Sequence, residues 1–600
     1  MLVLNDPAIA QHPDDVFKVW PTDRDQDAFR AAMDNQATVP ADLAGSAIAQ
    51  AHEFFVTQVT EWAEVSGDPA KVEARLHALT RALRDHLKLV VIDLEAGDNA
   101  QVIFETLNHR GAPLLAADLI KNFVFQVVGA QGLDVRALYQ KHWAALDDDY
   151  WRQRIARGRQ YVPRIDIFVN YWLIMRLARE VPSDRIFAEF RDYVLRDRPN
   201  VEDLLAEISG DARTYARMES LPPDSAAGRF RYRVLEAMNS AAVTPLLLWI
   251  LRWPQDAMPA GQRDEALTAL ESWVVRRGLC RLTSKEVSRF VIDLLRELDS
   301  AAPGTAGDVI EAFLLAQRTD RRLWPSDSML QQVLATVPVY RTLQRPRLRM
   351  LLEALEDQLR TDKSESGTCP HNLTVEHIMP IAWREHWAAK PLTDNAAAHR
   401  DAMVHRLGNL TLVNGKLNPS LSNRPWTAAQ AKARGIGDSG KKDELLRHST
   451  LKMNARIVAE HRGSWTEDAI ERRTAELAAA ITTIWPRPSV PVPDIPISEA
   501  DLEPSPADGD TSPDAEAEYA DVGKFRPLTQ WLRAQSADAL TVTFTDIEDV
   551  LGFPLPPSAR AHVGYWYHSK RPLRKAATAA GYKPTGVDLV DERVTLLRTT

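Results

Sequence analysis

Apolar residues recur at intervals of three and four along most of the first 359 positions, the spacing that lays one face of a helix against a core. Val72, Leu76, Leu79 and Leu83 follow it, as do Leu267, Leu270 and Val274, and the stretches Ile167 to Leu177 and Phe187 to Leu195 repeat it. One run breaks the pattern. KLVVIDLE, Lys88 to Glu95, reads as a strand and stops at the Gly97-Asp98 turn. No fixed period links the helical stretches, which argues against a solenoid. Between Thr368 and Trp426 the texture changes to short strand-like and turn-rich pieces, NLTVEHIMP, RLGNLTLV and NGKLNPSLSN, set among Asn, Gly and Pro. Helical spacing then returns, with Ile470, Leu477, Ile481 and Ile484 along one face. A compact non-helical insert in a helical body is where chemistry is expected.

Composition narrows the class. The 600 residues are 45% hydrophobic and 26% charged, ordinary globular usage with room for several domains. Two cysteines, Cys280 and Cys369, are too few and too far apart for a disulfide framework or a C-x-x-C site, which fits a reducing, cytoplasmic home. The N-terminus lacks a basic region followed by an apolar run, and no stretch of about 18 apolar residues occurs, so neither secretion nor a membrane span is expected. The formal net charge of −9 argues at first against a polyanionic partner. Residues 488–522, however, hold ten acidic residues and no Lys or Arg, and with those ten set aside the rest of the chain carries one positive charge. Nucleic acid therefore stays open as a partner. The same segment is rich in Pro and Ser and poor in aromatics, so it reads as a disordered acidic linker.

Within the insert, Glu376 and His377 follow a strand-like run, Asn409 sits in Leu-Gly-Asn-Leu-Thr-Leu, and Asn418 comes nine residues later. Phosphodiester hydrolysis needs a group to deprotonate water and a hard cation to neutralise phosphate charge. An imidazole suits the first task, and a carboxylate with an amide oxygen suits the second. Consecutive strand residues point to opposite faces, so Glu376 and His377 share a site only if the strand ends or bulges there, an ending that Pro380 favours. His371, His386, His399 and His405 are alternative bases or ligands without a neighbouring carboxylate at a strand end, and Cys369 with His371 lacks the second pair that a zinc site needs.

VEHIMP, LGNLTLVNGKLN and SNRPW together resemble the HNH (ββα-metal) nuclease domain of GmrSD-type modification-dependent restriction endonucleases. The resemblance implies His377 as general base, Glu376 and Asn418 as ligands of a divalent cation (Mg²⁺ or Mn²⁺), and Asn409 as the catalytic-site residue that braces the loop bearing the base. Glu and Asn make a weak ligand pair, so metal affinity is expected to be low until DNA phosphate completes the site. VIFETLNHRGAPLLAADLIKNFVF, Val102 to Phe125, is similar to the latter half of the ParB-like domain of that family, and KVWPTDRDQDAF and YRTLQRPRLRMLLEALE resemble flanking segments. The half with an Asp-Gly-Gln-Gln-Arg motif has no counterpart, which predicts a partner protein that carries it. Taken alone, Asn108, Arg110 and Gly111 read equally as a turn before a helix capped near Asp118.

The tail holds Arg560, Lys570, Arg571, Arg574, Lys575 and Lys583 with no acidic residue from Leu551 to Val587, interleaved with Tyr565, Trp566 and Tyr567. Cations neutralise phosphates and exposed aromatics stack on bases, so Arg560, Lys570, Arg571, Arg574, Lys575 and Trp566 form the candidate nucleic-acid surface. An aromatic core with a solvated charged face fits the same residues. The expected fold is mainly α. It comprises a partial ParB-like region (1–130), a helical domain (131–360), an embedded ββα-metal nuclease domain (361–487), the linker (488–522) and a small α+β, winged-helix-like module (523–600). The expected function is metal-dependent DNA cleavage in a bacterial anti-phage restriction system. A non-catalytic DNA-binding scaffold and an RNA-directed nuclease are the alternatives.

Overall fold

A computed structural model of the chain describes residues 115–157, 160–360, 368–387 and 392–489 without a break, most of 16–88, and much of 525–598. The chain divides into two compact units, Met1–Leu107 and Asn108–Thr600. It is mainly helical, and β structure among the described residues is confined to three small sheets. None of the described helices is long and apolar enough to cross a membrane.

The first unit contains helices Gln26–Met33, Ala47–Glu64 and Pro69–Asp85. The last starts where Asp68 accepts a bond from the Ala70 amide and Pro69 fills the first helical position, where its missing N–H costs nothing. Its stripe is helical as expected, yet Leu76 and Leu83 are exposed and the helix buries no residue. Spacing identifies a helix; it does not say what covers the face. The strand expected over Lys88 to Glu95 falls almost wholly outside the described residues, as do Asn108, Arg110 and Gly111 and nearly all of the acidic linker.

In the second unit one apolar core runs from Ala117 to Trp485. Helix Ala116–Ala130, expected in the N-terminal region, packs into this body. Its first turn is held by Asp166, which accepts from the Ala117 amide at 3.0 Å, and by the Asp118–Arg152 pair at 2.7 Å, so Asp118 is an ion-pair residue and not a cap. A short hairpin, β1 (Arg154–Arg157) and β2 (Gln160–Pro163), precedes the buried helix Arg164–Leu177. The nuclease-like segment shares the same core, with no break at residue 360. Its last helix, Glu467–Ile484, ends at Trp485, whose indole donates to Glu271 at 2.8 Å and whose carbonyl accepts from the buried Arg276 at 2.7 Å. Both partners lie on helix Ala260–Leu279. The same terminal helix approaches Gly408 so closely that a Cβ there would lie 2.0 Å from the Ile470 carbonyl oxygen, which only glycine permits.

The tail has its own core around Leu528, Phe544, Trp566, Tyr582 and Val594. Strands β5 (Ala539–Thr543), β6 (Tyr582–Asp588) and β7 (Arg593–Arg598) form an antiparallel sheet in the order β5-β7-β6 beside helices Arg526–Arg533, Phe544–Leu551 and Pro572–Ala579. This is the expected small α+β module.

Candidate functional site

Strands β3 (Thr374–His377) and β4 (Leu410–Val413) pair antiparallel, with Glu376 opposite Thr411 and His377 opposite Leu410. The short helix Asn418–Leu421 comes after β4, while helices Trp383–His386 and Asp394–Val404 lie between the two strands, so the insert is not the non-helical segment that its texture predicts. Asn409, fully buried, clasps the chain where β3 ends. Its Oδ1 accepts from the Met379 amide at 2.8 Å and from the Trp465 indole at 3.0 Å, and its Nδ2 donates to the Met379 and Val404 carbonyls, both at 2.8 Å. Every polar atom of this side chain is used. The Ile378 amide adds a bond to the Asn409 carbonyl at 2.9 Å. The clasp thus fixes the turn that follows Glu376 and His377.

The strand has no bulge before His377, so the two side chains leave on opposite faces and gather different neighbours. The strand does end at His377, the ending that Pro380 favours. Glu376 shares its face with Thr374, whose hydroxyl accepts from Asn418 Nδ2 at 3.1 Å. Asn418 is thereby brought to the Glu376 side, with its Oδ1 left over. Lys441 reaches the same place: its Nζ lies 2.6 Å from Glu376 Oε1 and 2.6 Å from the His377 carbonyl oxygen, on a side chain only 1% exposed. Burial pushes the ammonium below its ordinary pKa, and the Glu376 carboxylate opposes that shift.

His377 is not the exposed residue that a waiting base would be. Its imidazole is 7% exposed, the ring of Tyr340 meets it edge-on at 4.1 Å, and His405 lies 5.6 Å away. The Arg345 guanidinium sits 3.5 Å over the Tyr340 ring. Burial, with His405, Lys441 and Arg345 nearby, holds the His377 imidazole well below its usual pKa. It is therefore neutral, and its Nε2 has no hydrogen-bond partner. A neutral ring is the form that accepts a proton, yet here Tyr340 covers it.

Glu376 and Asn418 offer the hard oxygen donors that Mg²⁺ or Mn²⁺ takes. No group of three His, Cys, Asp or Glu that could hold a metal occurs among the described residues. Of the alternatives only His405 comes near, and the others find partners elsewhere. His371 bonds Glu353 at 2.9 Å, His386 and His399 lie beside Glu385 and Glu471 at 3.9 Å, and His405 stacks on Tyr340. Burial raises the Cys369 thiol to about 12.

Sequence alone does not single out Lys441. Gly-Lys-Lys-Asp-Glu looks like a solvated first turn, but a lysine at the first helical position opposes the macrodipole, which is the signal that it has a specific partner. Tyr340 enters the sequence reading only as part of a resembling segment.

In the tail the nucleic-acid candidates separate. Trp566 is fully buried, stacked on Phe544 with its indole bonded to the Ala559 carbonyl at 2.8 Å, so its expected role in base stacking is corrected to a core role. Arg560 is tied to Glu548 at 2.8 Å and to Glu592. Arg574 reaches the Tyr582 carbonyl at 3.4 Å and is half-buried. Lys570 and Arg571 lie outside the described residues, and Lys575 is described only as part of helix Pro572–Ala579. Tyr567 is 44% exposed and is the aromatic of this stretch that could meet a base.

Three stretches of the chain match known families. Residues 324–480 match the C-terminal domain of GmrSD restriction endonucleases, and residues 7–125 match the N-terminal domain of the same family. Residues 525–600 match a domain of unknown function (DUF7662). No curated protein matches the chain.

Proposed function

The chain belongs to the GmrSD-type restriction endonucleases, and we propose that residues 361–487 form a ββα-metal (HNH) centre that hydrolyses DNA phosphodiesters. We place it in a bacterial anti-phage system acting on modified or foreign DNA. The observation that carries this reading is the Asn409 clasp, which joins β3 to β4 while the following helix returns Asn418 to the Glu376 side. Glu376 and Asn418 would hold Mg²⁺ or Mn²⁺, which neutralises charge on the scissile phosphate. His377, neutral and with Nε2 free, would take the proton of the attacking water once Tyr340 moves aside. The tail would add DNA contacts through Arg574 and Tyr567. A partner protein is also part of this reading and is tested by co-purification with the product of the neighbouring gene.

The test is cleavage of unmodified, hydroxymethylated and glucosylated plasmid by the full chain with Mg²⁺ or Mn²⁺, alongside the His377→Ala variant and a matched RNA substrate. Cleavage by the wild type and its loss in the variant support the reading. The cover over His377 favours a second one, a DNA-binding scaffold that keeps the shape without the chemistry. Binding of DNA without cleavage of any substrate would select it.

A further inference from the structure

Lys441 stands at the proposed centre in a way that no structural tie requires. Its backbone is fixed independently of its charge. The Lys441 amide donates to the Pro425 carbonyl at 2.9 Å, the Lys442 amide to the Trp426 carbonyl at 3.0 Å, and Asp443 accepts from the Gly440 amide at 2.9 Å. Gly440 packs so tightly that a Cβ would meet the Trp426 carbonyl oxygen at 2.5 Å. From this anchored helix start the side chain runs inward, and its ammonium ends on the Glu376 carboxylate and on the carbonyl of His377. Burying an ammonium costs free energy that a methionine of similar length would not, so the charge is the feature to explain.

The charges of the centre then sum to nothing: one carboxylate, one ammonium and the neutral Asn418 amide. Only one carboxylate oxygen is engaged, because no other described residue bonds Glu376. A divalent ion on the free oxygen would sit within a few ångströms of the ammonium, and two like charges at that distance repel strongly in a buried site. Phosphate oxygens restore the balance by bringing negative charge. Building on the reading of Glu376 as a metal ligand, we propose that Lys441 is the resident cation of the centre: it shares Glu376 with the divalent ion and makes that ion's binding depend on DNA phosphate. The consequence is a nuclease centre that stays unloaded until DNA is in place.

The experiment measures Mn²⁺ binding to the full chain, from the electron paramagnetic resonance signal of free Mn²⁺, with and without a short DNA duplex. Thermal unfolding is followed in parallel. Wild type should bind Mn²⁺ weakly alone and more tightly with DNA. Lys441→Met should bind Mn²⁺ without DNA at least about tenfold more tightly than wild type, and DNA should then add little. Its Tm should rise more with Mn²⁺ than that of wild type, because the metal takes over the carboxylate that lost its ammonium. The double variant Lys441→Met/Glu376→Gln leaves no unpaired half-buried carboxylate; it should fold and show no Mn²⁺ response. If folded Lys441→Met binds Mn²⁺ as wild type does while Glu376→Gln loses it, the inference fails and Glu376 remains a ligand. If Lys441→Met stays unfolded in Mn²⁺ while the double variant folds, a divalent ion does not share that place, and the inference fails again. Unchanged Mn²⁺ binding in Glu376→Gln would overturn the ligand reading and this inference with it.

Discussion

The nuclease-like segment and the tail module both carry candidate polar chemistry, but they treat it in opposite ways. In the segment, three polar residues that the sequence singles out are drawn inward: Asn409 uses every polar atom, Glu376 is paired with a buried ammonium, and His377 lies under Tyr340 with its Nε2 unbonded. In the tail, the residue drawn inward is the aromatic one, Trp566, and the described charges stay at or near the surface, tied to Glu548 and Glu592 or resting on a carbonyl. The difference follows from what burial demands. A buried amide or carboxylate needs a dedicated partner, whereas a tryptophan is best used as core volume. A polar residue buried with full partners therefore marks a built site more reliably than a run of surface cations.

The largest expected effect is on catalysis. His377→Ala should lower cleavage by about 10²- to 10⁴-fold, the usual loss with a general base. Because the ring is packed against Tyr340, the variant should also be measurably less stable, which urea titration will show. A variant that cleaves at the wild-type rate would dissolve the distinction between the two regions.

Trp566→Ala should cost about 3–5 kcal/mol, as large-to-small core changes do, and should unfold the tail without reducing cleavage by the body. Loss of cleavage in step with tail unfolding would show that the regions are not independent. Asn409→Ala should destabilise the other region by about 3 kcal/mol, since it strands the Met379 amide and carbonyl and the Trp465 indole. If urea titration finds less than about 1 kcal/mol, the clasp is ornamental.

The next effect depends on pH. Burial holds His405 at about 4, against an ordinary value of 6.5, and holds His377 low in the same direction. Above pH 6.5 both are neutral in the folded and unfolded chains and pH changes nothing. Between pH 6.5 and 4 the unfolded chain takes up protons that the folded one refuses, so stability falls, by about 3 kcal/mol for His405 alone. Urea titrations from pH 7.5 to 4.5 should show this slope, and His405→Gln should flatten it.

The smallest effect separates the tail's charges. Arg560→Ala should leave the slope of log DNA affinity against log salt unchanged, because its partners are Glu548 and Glu592. Deleting 523–600 should lower that slope by about one unit for each phosphate that the tail neutralises. Equal slopes for full-length and truncated protein would make the tail a fold without a nucleic-acid face.

Much of this was legible in the chain itself. Period and texture located the helical body and the α+β tail, because apolar spacing reports local geometry directly, whereas the insert read as non-helical holds helix Asp394–Val404 between its two strands. The order Glu376-His377, Asn409, Asn418 pointed to the insert, and Asn409 does brace the turn after β3. What only the tertiary structure decided was which face each residue meets. Leu76 and Leu83 lie on a stripe as regular as any core helix and remain exposed, Trp566 sits among cations and is core, and Tyr340 arrives over His377 from more than thirty positions upstream. Lys441, 65 positions after Glu376, becomes its partner only because the Trp426–Gly440 packing aims a helix start at β3. Periodicity is a property of neighbours along the chain, whereas a buried charge finds its counter-charge through space, and no local pattern records that distance.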